Sequence, residues 1–171
     1  MNKEGYDHLH DIITKGSNAL SPAEFEAAAN ETASIIIDTR HENDFVKGFI
    51  PQSIFIGIDG GFAPWVGALI QDVKQPILLV ADEGRVEEVI TRLSRVGFDN
   101  TIGYLDGGFE AWNAANREVD SLRSIPATEF EQEVNENNLP IIDVRKKGEW
   151  STQHLADAKH VCLSAINDSL A

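Results

Sequence analysis

The sequence predicts an α/β fold in three layers, a parallel sheet of about five strands with helices on both faces, followed by a partial second copy of the same pattern. Three observations carry this. Short, wholly apolar runs such as Ile35-Ile36-Ile37 and Ile77-Leu78-Leu79-Val80 alternate along the chain with stretches whose apolar residues recur at helical spacing. Runs with no polar alternation belong to strands buried on both faces, as in a parallel sheet between helices. The pattern then restarts near the C-terminus, at a constant offset of 105 residues.

Residues 1–17 form an expected leader or linker: Tyr6, Leu9, Ile12 and Ile13 make a weak amphipathic pattern that stops at Lys15-Gly16. His8-Leu9-His10 offers two potential ligands, too few for a metal site, and residues at i and i+2 diverge on a helix. From residue 18 to 122 the pattern is regular. Ser21-Pro22 with Glu24 spells a capping box with proline at the first helical position, so a helix is expected over residues 22–30. Ile35-Ile36-Ile37 reads as a central strand, with Asp38-Thr39-Arg40 at its C-terminal end. A short helix over residues 42–47 and a strand at Ile54-Phe55-Ile56 follow.

The glycine-rich stretch 57–62 reads as a loop, and Pro64 to Ile70 as a short apolar helix begun by proline. Next comes a strand from Pro76 to Ala81, then a helix from Val86 to Val96 with Gly97 as its C-cap. Thr101 to Leu105 supplies another strand, Asp106-Gly107-Gly108 a turn, and Phe109 to Asn116 a helix carrying Trp112. Trp65 and Trp112 are expected to pack in the core, with a docking contact as the other role for Trp65.

The second copy is expected over residues 124–171. Pro140-Ile141-Ile142-Asp143-Val144-Arg145 repeats the first strand and its Asp-x-Arg, and Glu129-Phe130-Glu131 and Trp150 repeat Glu24-Phe25-Glu26 and Phe45 in the same register. The counterpart of the strand–helix junction at residues 81 and 82 would lie near position 186, so this copy should present open strand edges.

Composition sets outer bounds. The chain has 171 residues, with 14 Lys plus Arg against 28 Asp plus Glu and a formal net charge of -14, which repels nucleic acid and anionic membrane surfaces. No apolar run is long enough to span a bilayer. Cys162 is the single cysteine, which excludes an intrachain disulfide and points to a reducing, cytoplasmic setting.

The chemistry concentrates at Ala81-Asp82-Glu83-Gly84-Arg85, where a buried strand runs into a helix. Such a junction aims backbone N–H groups and the positive end of a helix dipole at one point, a setting suited to an anion or a thiolate. Asp82 is expected to cap that helix and complement its dipole, with a catalytic acid as the competing role.

Together, Asp38-x-Arg40, Gly48-Phe49-Ile50-Pro51-Gln52-Ser53, the 81–85 loop and Leu105-Asp106-Gly107-Gly108-Phe109-x-x-Trp112 resemble a rhodanese-like domain over about 105 residues, with Gln153-His154-Leu155-x-x-Ala158 in the second copy. The resemblance implies a sulfurtransferase fold whose loop cysteine carries a persulfide, cradled by loop amides and helped by an arginine. The family loop runs Cys-x-x-Gly-x-Arg. Here Ala81 stands in the cysteine's place, or Asp82 or its neighbour when the count slides by one residue back from Arg85, and the loop is one residue shorter between Gly84 and Arg85. No catalytic residue, cofactor or metal ligand is therefore assigned to this chain. Cys162 aligns with Gly57 and is expected to be a small buried apolar residue.

The leader Asn2-Lys3-Glu4-Gly5-Tyr6, the Phe62-Ala63-Pro64-Trp65-Val66-Gly67 stretch, the acidic loop and the repeat resemble the rhodanese-like part of metallo-β-lactamase-fold hydrolases fused to rhodanese domains, a group that includes persulfide dioxygenases. This implies a non-catalytic interaction or regulatory module, with a metal-bearing hydrolase domain upstream and the rest of the second repeat downstream. Two other expectations compete. The working cysteine of a sulfurtransferase could lie in the second repeat near position 186, or the acidic loop could receive a cationic group of a partner.

Overall fold

The computed structural model describes residues 8–169, which fall into two compact units, residues 8–122 and 123–169. In the first unit, β1 (Ala19–Leu20), β2 (Ile35–Asp38), β3 (Ile54–Phe55), β4 (Ile77–Val80) and β5 (Thr101–Leu105) form one sheet in the order β1-β5-β4-β2-β3. Every neighbouring pair runs parallel. Central β4 is buried at all four positions, so its side chains divide between the two faces.

Ile77 and Leu79 enter a core with Ile12 of α1 (Leu9–Gly16), Phe62 and Val66 of α4 (Phe62–Leu69), and Val89, Ile90 and Leu93 of α5 (Val86–Ser94). Leu78 and Val80 join Phe25 of α2 (Pro22–Thr32) and Trp112 of α6 (Gly108–Ala114) on the other face. That two-sided packing is the three-layer α/β architecture. Each fully buried Leu, Ile or Phe contributes about 1.5–3 kcal/mol, so the largest stabilising term is centred on β4.

Local signals act as expected at several points. The Ser21 hydroxyl accepts from the Glu24 amide while the Glu24 carboxylate accepts from the Ser21 amide at 2.9 Å, closing the capping box of α2. Gly97 has φ +90° and turns the chain, although it stands two residues beyond Arg95, the true C-cap of α5. Pro64 lies inside the first turn of α4, which begins at Phe62. The short helix α3 ends at Phe45 rather than at residue 47.

The segment expected to be a leader needs correction. Residues 9–16 are helix α1, and Ile12 and Gly16 are buried. A Cβ at Gly16 would stand 2.9 Å from Ile90 Cδ1, so α1 lies tightly on α5. Eight residues with one strongly buried apolar side chain leave little trace in sequence. Residues 1–7, including the expected leader motif 2–6, lie outside the described residues. Strand β1 was also unforeseen, since two residues show no period. It pairs Ala19 with Tyr104 and Leu20 with Leu105.

In the second unit, α7 (Ala127–Asn137) precedes β6 (Ile142–Asp143), α8 (Lys147–Thr152) and β7 (Lys159–His160), and 3-10 turns follow over Leu163–Ser169. β6 and β7 are parallel, pairing Ile142 with Lys159 and Asp143 with His160. Among the described residues no helix is long and apolar enough to cross a membrane.

Candidate functional site

The residues from Ala81 to Arg85 connect the end of β4 to α5 in a tight turn. The Arg85 amide donates to the Asp82 carbonyl at 3.1 Å, and Gly84 sits between them at φ +76°. Nothing lies within 4 Å of the position a Gly84 Cβ would take, so glycine is required here by backbone conformation rather than by space.

Asp82 does not cap α5. Its side chain is exposed, its carbonyl closes the turn, and the N-cap position falls on Arg85, which makes no side-chain cap. The Asp82 carbonyl, not its carboxylate, meets the Arg85 amide, and Arg85 is left as the residue that precedes the helix. Glu87 and Glu88 in the first turn instead complement the helix dipole.

Arg85 points into a separate ion cluster. Its Nη1 and Nη2 donate to the two Asp59 oxygens at 2.7 Å each, and its Nε donates to Glu88 at 3.0 Å. The two carboxylates hold its pKa above the ordinary arginine value, and the Arg85 hydrogen bonds draw Asp59 below the usual carboxylate range. Arg92 adds a bond from Nη1 to the Ile58 carbonyl at 2.6 Å and an ion pair to Glu88 at 2.7 Å. Two arginines therefore staple the 57–61 loop to α5.

Above the turn lies a cavity of about 790 Å³ between the C-terminal ends of β4 and β5. Its carboxylates are Asp82 and Glu83 from the turn, Glu87 from α5, Asp106 after β5, and Glu110 from α6. The cation on its wall is Arg40, whose charge is already committed. Arg40 Nη2 donates to Asp38 Oδ2 at 2.6 Å and to the Gly48 carbonyl at 2.8 Å, and its guanidinium carbon lies 4.3 Å from the Phe109 ring centroid. Burial pushes the Asp38 carboxyl up, Arg40 opposes that shift, and the Asp82 charge adds to it.

Chemically, the cleft has an acidic wall and no sulfur. The Ala81 methyl offers no nucleophile, and an anion entering beside Asp82 and Glu83 would meet repulsion rather than a cationic clamp. Cys162 lies in the second unit. It is half-buried rather than fully buried, and its Sγ lies 3.3 Å from Ser164 Oγ. Hydrogen bonding by the Ser164 side chain and backbone draws the thiol below its ordinary pKa. No group of three or more His, Cys, Asp or Glu among the described residues could hold a metal ion.

The turn residues 81–85 were all anticipated as one locus, and four of them line the cleft while Arg85 leaves it. The roles of Asp59, Glu87, Asp106 and Glu110 were not anticipated. Three sit on different elements, and only the Gly57–Phe62 setting of Asp59 marked a loop that could reach the site.

Similarity to known proteins agrees with this architecture. A rhodanese-like domain of an Anabaena sp protein is 17% identical, covers 66% of this chain and 85% of its own, and superposes with a TM-score of 0.53. The thiosulfate sulfurtransferase of Pseudomonas aeruginosa is 16% identical over 95% of this chain and 38% of its own, with a TM-score of 0.52. A 3-mercaptopyruvate sulfotransferase of Escherichia coli, described with the rhodanese fold, is 16% identical over 85% of this chain and 74% of its own, with a TM-score of 0.51. At these identities the likeness is one of fold. Comparison with curated proteins returns no match. The family model for the rhodanese-like domain matches residues 21–115, more than half of the chain, so this chain belongs to the rhodanese-like domain family.

Proposed function

We propose that the first unit is a rhodanese-like module that has kept the frame and lost the sulfur-transfer reaction, and that it acts as an interaction or regulatory module of a larger sulfur-handling protein. The observation that carries this reading is the turn itself. Where the family places a persulfide-bearing cysteine, the chain has Ala81, a tight Asp82–Arg85 turn, and an arginine bound to Asp59 and Glu88. A thiosulfate-to-cyanide transfer assay on this chain should give no turnover above buffer. Turnover that survives Cys162→Ala would overturn the reading.

The larger protein is a metallo-β-lactamase-fold hydrolase of the persulfide dioxygenase-like type, fused upstream and working in the cytoplasm. That upstream domain, rather than this chain, would supply the metal ligands. Residues 123–169 are the opening of a second rhodanese-like repeat whose remainder lies downstream, supported by the Asp-x-Arg strand recurring 105 residues on. Reading the natural gene on both sides tests these points together: ligand motifs of the hydrolase must appear upstream, and the missing strand–loop–helix downstream.

A second reading keeps an enzyme. A Cys-x-x-Gly-x-Arg near position 186 would make the whole protein a sulfurtransferase, in keeping with the named activities of two of the fold neighbours. Another acidic loop there would remove it. The carboxylate-lined cleft favours a cationic group on whatever partner the first unit meets. Asp82→Asn with Glu83→Gln should then weaken that contact, and unchanged affinity would count against it.

A further inference from the structure

We infer that the cleft above the 81–85 turn receives a lysine of a partner protein, its ammonium among the cleft carboxylates and a main-chain carbonyl beside it on Arg40 Nη1. The inference rests on reading the first unit as an interaction module whose cleft favours a cationic group, and it adds the chemistry and orientation of that group.

Two polar groups on the cleft lining lack partners, an observation separate from the acidic residues. Arg40 lines the cleft with its side chain only 6% exposed. Its Nε and Nη2 donate to Asp38, and Nη2 also to the Gly48 carbonyl, whereas Nη1 has no acceptor among the described residues. Leaving a buried donor unsatisfied costs about 1–3 kcal/mol, so an acceptor brought to Nη1 is rewarded. The Ser17 hydroxyl, on the same lining, is also buried without a hydrogen-bond partner among the described residues.

The charge balance decides which acceptor fits. Asp38 and Arg40 are an ion pair, while Asp82, Glu83, Glu87, Asp106 and Glu110 line the same cleft. An anion placed on Nη1 would gain little from an arginine already paired and would be repelled by those carboxylates. A neutral carbonyl oxygen accepts the same hydrogen bond without that repulsion. The ligand therefore joins a neutral acceptor to a cation.

Sheet order sets the distance between the two ends. Arg40 follows β2, Asp82 follows the neighbouring β4, and Asp106 follows β5 one strand further on. The acidic strand ends thus stand about 5–10 Å along the sheet from that of Arg40, a span suited to the four-carbon stem of lysine. Between them Ala81, Val86, Tyr104 and Leu105 supply apolar lining, which such a stem covers while its charged head stays among polar groups. The carboxylates come from the turn, α5, the end of β5 and α6, a scatter that suits a point charge with three rotatable donors better than a planar guanidinium. A lysine within a peptide has all three parts: carbonyl, stem and ammonium.

The test titrates the whole chain with N-acetyl-lysine N-methylamide at low ionic strength, followed by nitrogen NMR. The expected result is a saturable shift at the Gly84 and Gly108 amides and at the Arg40 side-chain N–H signals. Butylamine, an ammonium without the carbonyl, should bind about tenfold or more weakly, and the equally blocked norleucine, a carbonyl without the ammonium, should give no saturable shift. Asp82→Asn with Glu83→Gln, both at exposed positions, should weaken the blocked lysine by about tenfold or more. No saturable shift with the blocked lysine overturns the inference. Equal affinity for butylamine also overturns it, since Nη1 then takes no carbonyl, although a cation-accepting cleft would stand. Tighter binding of blocked arginine overturns the choice of lysine. Sulfur transfer is read in a separate assay, so failure here and failure of the non-catalytic reading are distinct results.

Discussion

Asp38-Thr39-Arg40 in the first unit and Asp143-Val144-Arg145 in the second make the same hydrogen bonds in different surroundings. In both, the arginine amide and Nε bind Oδ1, Nη2 binds Oδ2, and Nη2 also reaches a carbonyl eight residues on, that of Gly48 or Gln153. Yet burial pushes the Asp38 carboxyl up, whereas Arg145's hydrogen bonds draw the half-buried Asp143 down to about 2. An Asp-x-Arg after a strand thus specifies its own local geometry, and the layers above it decide the electrostatic consequence.

The aromatic groups beside these pairs differ in the same way. Phe45 stacks on Phe49 at 4.4 Å and meets Phe55 at 4.8 Å, with Phe45 buried. At the equivalent positions the second unit has Trp150 stacked on His154 at 3.7 Å and on His160 at 4.9 Å. His160 Nε2 also lies 2.8 Å from the Arg145 carbonyl, a bond phenylalanine could not make. Rings with polar nitrogens suit the half-exposed second unit; three phenyl rings suit a closed one.

The comparison can be broken most directly at the arginines. Arg40→Ala should destabilise the first unit by about 3–5 kcal/mol, since it strands a buried carboxylate. Arg145→Ala should cost the second unit less, because the arginine is half-exposed and water can take part of its place beside Asp143. Urea unfolding followed separately at Trp112 and Trp150 checks both, and equal losses would refute the contrast. Ile37→Ala should cost about 2–5 kcal/mol, while Ile142→Ala should be near neutral in the same experiment.

Phe49→His should weaken the first unit by about 1 kcal/mol through loss of its aromatic contact, whereas His154→Phe should change the second unit little. The smallest effect is the pH dependence. Asp143 has a folded-state pKa below its unfolded value, so its stabilisation is present above about pH 4 and is lost as the pH falls toward about 2. Asp38 has the opposite sign: its folded pKa is raised, so the folded form takes up its proton first and this group's contribution improves on acidification. Carboxyl carbon NMR should show Asp143 titrating well below Asp38, and the reverse order would refute the assignment.

Much of this architecture was legible because it is local. The apolar run of β4, the capping box at Ser21 and the Asp-x-Arg after β2 each act within a few residues, and each gave the expected element. Helix α1 reads in sequence only as a weak amphipathic leader, and strand β1 has no period to read, because their order comes from distant partners, Ile90 and Tyr104–Leu105. At the site, the sequence located the Ala81–Arg85 turn and its lack of sulfur, yet misjudged Asp82 as a helix cap. A cap is a matter of ångströms at a turn whose tightness depends on Gly84, and sequence spacing does not report it.

The sequence by itself therefore determined the α/β alternation, the acidic balance and the identity of the atoms available between β4 and α5. Only the tertiary structure decided that Arg85 turns away to Asp59, that the Arg40–Asp38 pair is buried, and that Asp106, Glu87 and Glu110 complete an acidic cleft. The physical reason is distance along the chain. Periodicity and capping are encoded between near neighbours, whereas burial and the field at a site are set by residues that meet only when the sheet closes.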